Sequence, residues 1–188
     1  MPLSPRSGTG TPSLICVAYL IPEKGVDVLL RAMALLRSRD WTLDVVGDGP
    51  EAGRLRALAA EGGIADRVRF LGRRDDVPVL LRSADIAVHP ATWAEACAYV
   101  VLEALEAGCA MVATATGGTP ELIRDGETGL LVTPGNADAL SAGVARLLAD
   151  APLRRRLGEA AHADCVTRFS LAGSAGGYHA LAESLFPS

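Results

Sequence analysis

Short apolar runs of strand length alternate with longer amphipathic runs along nearly the whole chain, and this alternation limits the fold more than any other feature. Strand patterns fall at residues 14–19, 41–46, 68–71, 86–89, 110–114 and 129–132. Helical patterns lie between them at 26–37, about 50–61, 77–83 and 98–108. The chain then turns helical, at about 137–149, 153–166 and 174–185. Strands separated by helices pair in parallel, and a parallel sheet is buried on both faces. The expected fold class is therefore α/β: a doubly wound parallel sheet of about six strands, helices on both faces and a helical C-terminal tail. Right-handed crossovers carry the strand-to-helix loops to one edge of such a sheet. Ligands bind at that edge.

Five residues with binding chemistry fall in or near those loops: Lys24, Asp48, Arg73, Glu95 and Thr116. Lys24 is the single lysine among 18 basic residues, a point charge kept where arginine is otherwise the rule. It follows the first strand in Ile21-Pro22-Glu23-Lys24-Gly25, where doubly wound folds bind phosphate. Glu95 and Glu103 stand eight positions apart, the first in a loop and the second more than one turn inside a helix that Gly108 stops. Between them, the first-turn amides around Ala98 to Val101 lack intrahelical acceptors and carry the positive end of the helix dipole. This is an anion site flanked by two carboxylates that can bind hydroxyls. A sugar joined to a nucleotide diphosphate has the complementary chemistry, with charge in the middle and hydroxyls at both ends.

Composition closes off other classes. The 188 residues, 49% of them hydrophobic, suit one domain that buries roughly 70% of its unfolded surface. A net charge of −4 without a dense basic stripe argues against nucleic acid as partner. The one basic run, Arg154-Arg155-Arg156, reads as a solvated helix face. Cys16, Cys97, Cys109 and Cys165 show neither metal-ligand nor redox spacing, and Cys16 and Cys109 read as core thiols of a protein in the reducing cytoplasm. No segment resembles a signal peptide and no apolar run reaches the ~18 residues of a membrane span, which leaves room only for peripheral membrane contact. Residues 1–13, rich in Pro, Ser and Gly, read as a leader before a domain spanning 14–188.

Ordered pieces of sequence carry a family resemblance. They are Pro-Glu-Lys-Gly (22–25), Val-Val-Gly-Asp-Gly-Pro (45–50), Arg-Val-Arg-Phe-Leu-Gly (67–72) and Ala-Asp-Ile-Ala-Val-His-Pro (84–90). The two-glutamate block 95–103 follows, then Thr-Gly-Gly-Thr-Pro-Glu (116–121), Asp-Gly-Glu-Thr-Gly-Leu-Leu-Val (125–132) and Arg-Phe-Ser (168–170). From Val17 to Phe169 the chain resembles the Rossmann-like C-terminal domain of GT-B glycosyltransferases, specifically the retaining enzymes of family 4. The resemblance implies that Lys24 contacts the donor diphosphate and neutralises the leaving group, and that Glu95 binds the donor sugar. Both count as catalytic on that reading. Glu103 would hold the ribose, and the backbone from Cys97 through Ala98, Tyr99 and Val100 would cradle the phosphates. Gly47, Asp48 and Arg73 would border the base, and Gly117-Gly118 would serve a tight turn. No metal and no cofactor are implied. The nucleotide sugar, linked to UDP, GDP or ADP, is the substrate.

The chain departs from the family pattern in three ways. Ala18 and Tyr19 stand where a Gly-Arg pair supplies a second phosphate cation. Ala96-Cys97-Ala98 replaces a glycine-rich loop, and alanine disfavours positive φ. An N-terminal Rossmann-like domain that would provide the acceptor pocket does not precede the first strand. The chain thus reads as half of such an enzyme, expected to bind donor with little or no turnover unless a partner domain joins it in cis or in trans. The alternatives are a catalytically silent binding module of the same fold and, further off, a relative of nucleotide-sugar 2-epimerases. Among the remaining residues, His89 reads as a local hydrogen-bonding group at a strand end. His162 and His179 read as exposed and unpartnered. Trp93 is open to packing or to sugar stacking, Glu106 is a surface charge and Glu121 a turn anchor.

Overall fold

A computed structural model describes residues 10–96 and 98–170. Six parallel strands form one sheet: β1 (Ser13–Val17), β2 (Thr42–Val46), β3 (Val68–Gly72), β4 (Ile86–His89), β5 (Ala110–Thr114) and β6 (Leu130–Val132). Their spatial order is β3-β2-β1-β4-β5-β6, so the direction of winding reverses between β1 and β4. That reversal opens a crevice outside the carboxyl ends of the two strands.

Side-chain alternation builds a core on each face. Leu14, Cys16, Leu43, Val45, Ile86, Val88, Ala110 and Val112 point into one layer, under α1 (Val26–Leu35), α2 (Ala52–Glu61) and α6 (Ala137–Ala149). Ile15, Val46, Ala87, Met111 and Ala113 point into the other, under α3 (Val77–Ser83), α4 (Tyr99–Glu106) and α5 (Thr119–Leu122). The long α7 (Ala151–Arg168) serves both: Leu153 and Leu157 join the first layer, Ala161 and Cys165 the second. Burial pushes the Cys16 thiol up to about 12, which keeps it protonated as a small apolar side chain.

Caps mark the helix starts after the sheet. Asn136 accepts from the Ala139 amide at 2.9 Å and Asp150 from the Leu153 amide at 2.8 Å. Arg154, expected in a solvated run, instead donates to the Leu147 carbonyl at 2.6 Å and so satisfies the C-terminal end of α6. Its neighbour Arg156 reaches the Gly126 carbonyl at 3.4 Å.

Element boundaries moved where local sequence was ambiguous. The first strand ends at Val17, because Ala18 and Tyr19 already turn along the β2 loop. Pro12 and Ser13, expected in the leader, belong to the sheet: the Pro12 carbonyl accepts from Thr42, and the Ser13 amide donates to the Asp85 carboxylate at 2.8 Å. The four-residue α5 was not expected, being too short to show a period. The helix expected at 174–185 lies outside the described residues, as does His179.

The far end of α7 is tied down by charge. Asp164 is 8% exposed and pairs with both Arg124 and Arg168, each at 2.8 Å. Arg168 also donates to the Glu121 carbonyl at 2.6 Å, joining α7 to the segment below the β5 loop. The arginines are partly solvated and can rehydrate, so Asp164→Ala should cost about 1–3 kcal/mol, the range for bonds to charged groups. Equilibrium urea unfolding measures it, with Asp164→Asn expected to lose less.

Candidate functional site

Three loops converge on the β1–β4 crevice, and backbone contacts fix their spacing. The β1 loop holds a 3-10 turn, Pro22–Lys24, and then Gly25 at φ 63°. A Cβ there would lie 2.0 Å from the Pro90 carbonyl oxygen, so the β1 loop can touch the β4 loop only through glycine. The Glu23 carbonyl accepts from the amides of Thr92 and Trp93, at 2.9 and 3.3 Å. From the other side, the buried Thr114 hydroxyl at the end of β5 donates to the Ala91 carbonyl at 2.6 Å. Gly117, at φ 53°, admits the Glu95 backbone where a Cβ would stand 2.2 Å from its carbonyl oxygen. The Gly118 amide donates to that same carbonyl at 2.8 Å.

The result is an ion pair between residues far apart in sequence. Lys24 Nζ lies 2.5 Å from Glu95 Oε1, across 71 positions of chain. Each side chain is about a quarter exposed, enough for a ligand to reach and little enough to restrict it. The expected meeting of an ammonium with the Glu95 segment is present in the fold.

Other sequence candidates sort by position. Helix α4 starts at Tyr99, with Ala98 as its cap at φ −85°, so Glu95 stays in the loop and Glu103 lies in the second turn, exposed on the same side as Tyr99. The Val101 amide is bonded to the Ala98 carbonyl at 2.9 Å, which narrows the helix-tip donors from four expected amides to those of Ala98, Tyr99 and Val100. Cys97 lies outside the described residues. Gly47 and Asp48 sit on the β2 loop against the β1 loop: the Asp48 carbonyl accepts from Leu20 at 2.8 Å, and its carboxylate accepts from the Gly49 amide at 2.8 Å. Arg73 is exposed just beyond β3, two strands from the crevice. Thr116 turns the chain after β5, its amide bonded to Thr114.

Two histidine readings are corrected. His162 is not unpartnered: its Nδ1 lies 2.6 Å from the Glu106 carbonyl oxygen. His89 is 5% exposed, and among the described residues its Nε2 has no hydrogen-bond partner, so the local bonding expected of that ring nitrogen is absent. Burial lowers the His89 pKa, with Glu95 raising it and Lys24 lowering it further. The aromatic residues of this rim point outward: Tyr19, Trp93 and Tyr99 are 60%, 68% and 77% exposed. Packing therefore does not account for Trp93. Among the described residues, no group of three or more His, Cys, Asp or Glu could hold a metal ion, and no helix is long and apolar enough to cross a membrane.

A crevice at the winding reversal, bordered by a lysine, a glutamate and a helix start, is where doubly wound α/β folds bind ligands. The sequence model described as glycosyl transferases group 1 matches residues 4–164, and the chain belongs to that family. A GDP-mannose-dependent alpha-(1-6)-phosphatidylinositol monomannoside mannosyltransferase of Mycolicibacterium smegmatis is 36% identical over 156 residues, covering 77% of this chain and 41% of the relative. Anabaena Alr3699/HepE, solved in complex with UDP and glucose, superposes with a TM-score of 0.82 at 28% identity, covering 89% of this chain and 47% of that one. The C-terminal domain of a group 1 glycosyl transferase family protein (LpcC) from Francisella tularensis superposes with a TM-score of 0.75 at 25% identity, covering 86% of this chain and 88% of that domain. The chain spans less than half the length of the curated relatives it matches.

Because the Gly117 position carries both a left-handed backbone and the Glu95 contact, Gly117→Ala should destabilise the protein by about 1–3 kcal/mol. It should also speed hydrogen exchange at the amides of residues 92–96, read by mass spectrometry, more than at those of β5.

Proposed function

We propose that this chain is the C-terminal, donor-binding domain of a retaining, metal-independent family 4 glycosyltransferase that takes a hexose from a nucleotide diphosphate sugar. The observation that carries the reading is the Lys24–Glu95 pair at the β1–β4 crevice, with the α4 tip beside it. Nucleotide-sugar chemistry fits these parts. Glycosyl transfer develops positive charge on the sugar and negative charge on the departing phosphate. Lys24 and the open amides of Tyr99 and Val100 form a preorganised positive site for the phosphate, and removing one such donor costs ~100- to 1,000-fold in rate. Glu95 meets the sugar and Glu103 the ribose hydroxyls. Gly47, Asp48 and Arg73 border the base, whose identity among UDP, GDP and ADP is left to experiment.

The C-terminal assignment is supported by the near full-length match to an isolated C-terminal domain of the same family. The UDP complex of a structural neighbour supports the donor class. On this reading the acceptor binds a second Rossmann-like domain, in cis or in trans, and the exposed Tyr19, Trp93 and Tyr99 face it. This chain by itself then binds donor with little or no turnover, in the cytoplasm, where its cysteines stay reduced. A second reading, a silent binding module of the same fold, is favoured by Tyr19, which brings no cation to the position where the family pattern has one.

Calorimetric titration with UDP, GDP and ADP separates these possibilities. One nucleotide should bind, and Lys24→Ala should weaken it about 10- to 100-fold, as loss of a charge-assisted bond predicts. Glu103→Ala should weaken it about tenfold. Equal affinities for wild type and both variants would overturn the site. Turnover restored by a supplied N-terminal domain favours the enzyme over the silent module.

A further inference from the structure

His89 is a buried group at the crevice that the reading above leaves unused. It ends β4 in register with Ala113 of β5, and its carbonyl accepts from the Thr114 hydroxyl at 3.3 Å. Its ring is buried on the face where α4 packs, and among the described residues its Nε2 bonds to nothing. A buried polar atom without a partner forfeits its hydration with no return, and most folded chains avoid it. The charges that act on this ring are those of Glu95 and Lys24. In the structure those two groups pair with each other.

That arrangement cannot survive the ligand. The inference rests on the donor-binding reading: a diphosphate draws Lys24 toward itself, and Glu95, three-quarters buried, then loses its cation. A largely buried carboxylate stripped of its partner is strongly disfavoured unless a donor replaces it. We propose that His89 is a positioning residue for Glu95, its Nε2–H donating to the Glu95 carboxylate once Lys24 has turned to phosphate. The unpartnered Nε2 is the donor held for that exchange. Burial is the largest influence on the ring and favours the neutral imidazole, which supplies a directed hydrogen bond without adding charge beside the sugar. His89 touches no reacting atom in this scheme. It acts by fixing the carboxylate that does.

Imidazole 15N and 1H NMR of the full chain tests the exchange without any nucleotide, with the His89 signals assigned by their loss in H89Q. Lys24→Met removes the ammonium and keeps the aliphatic stem. The His89 Nε2–H proton should then move downfield, and its exchange with water should slow at least tenfold. Both changes should vanish in the Lys24→Met/Glu95→Leu double variant. A slow Nε2–H proton already present in wild type, or one surviving in the double variant, would mean a fixed partner such as a buried water and would overturn the proposal. Identical His89 signals in wild type and Lys24→Met would overturn it as well. Adding UDP-glucose to wild type should reproduce the Lys24→Met signal, whereas bound UDP-glucose that leaves His89 unmoved would also sink it. If UDP, GDP and ADP all fail to bind, the donor reading falls, and the Lys24→Met comparison still decides the role of His89.

Discussion

The seam between β1 and β4 is the constraint on which the rest depends. There the winding reverses between two parallel strands whose helices cover opposite faces, so their loops diverge and leave a crevice. Lys24 leaves β1 and Glu95 leaves β4, and the ion pair between them spans that gap. Every other contact of the site keeps those two loops at one separation. Glu23 holds the backbone of Thr92 and Trp93 on one side, while Thr114, Gly117 and Gly118 hold Ala91 and Glu95 on the other. Removing a side chain would not open this clamp, because most of it is backbone.

A pair so placed contributes modestly to stability. Exposed ion pairs stabilise by about 0–1 kcal/mol, and a quarter-exposed pair gains somewhat more at some desolvation cost. Its importance lies in the charges themselves. A lone lysine or a lone glutamate at this depth would be poorly solvated and would wander, whereas in the pair each fixes the other. An anion arriving at the α4 tip finds an ammonium already at the mouth of the crevice. The cost of that arrangement falls on Glu95, which is why a buried donor without a partner nearby matters.

Legibility in the sequence followed the range of the interactions. The strands and the long helices were readable, since alternation and the 3.6-residue period are local properties of burial. The four-residue α5 and the ends of β1 were not, because they are set by contacts with neighbouring loops rather than by a repeat. Arg154 looked like one of three surface charges; its partner, the end of α6, becomes visible only when α6 and α7 meet at a corner. His162 looked isolated for the same reason, its acceptor lying on α4, 56 positions away. His89 was the sharpest failure. A histidine before proline suggests a local bond, yet its ring is buried and, among the described residues, its Nε2 meets no partner.

From residues alone came the α/β class, the edge of the sheet that carries the loops, and the short set of groups proposed for a sugar nucleotide: Lys24, Glu95, Glu103 and the tip of α4. Those depend on periodicity, loop position and the chemistry of single side chains. Tertiary structure alone decided that Lys24 and Glu95 touch, that Val101 closes part of the helix tip, that Arg73 stands two strands away and that, among the described residues, His89 Nε2 has no partner. The physical reason is that a strand order of 3-2-1-4-5-6 is a global solution for burying both faces of the sheet. No local stretch of chain encodes which two loops it will leave facing each other.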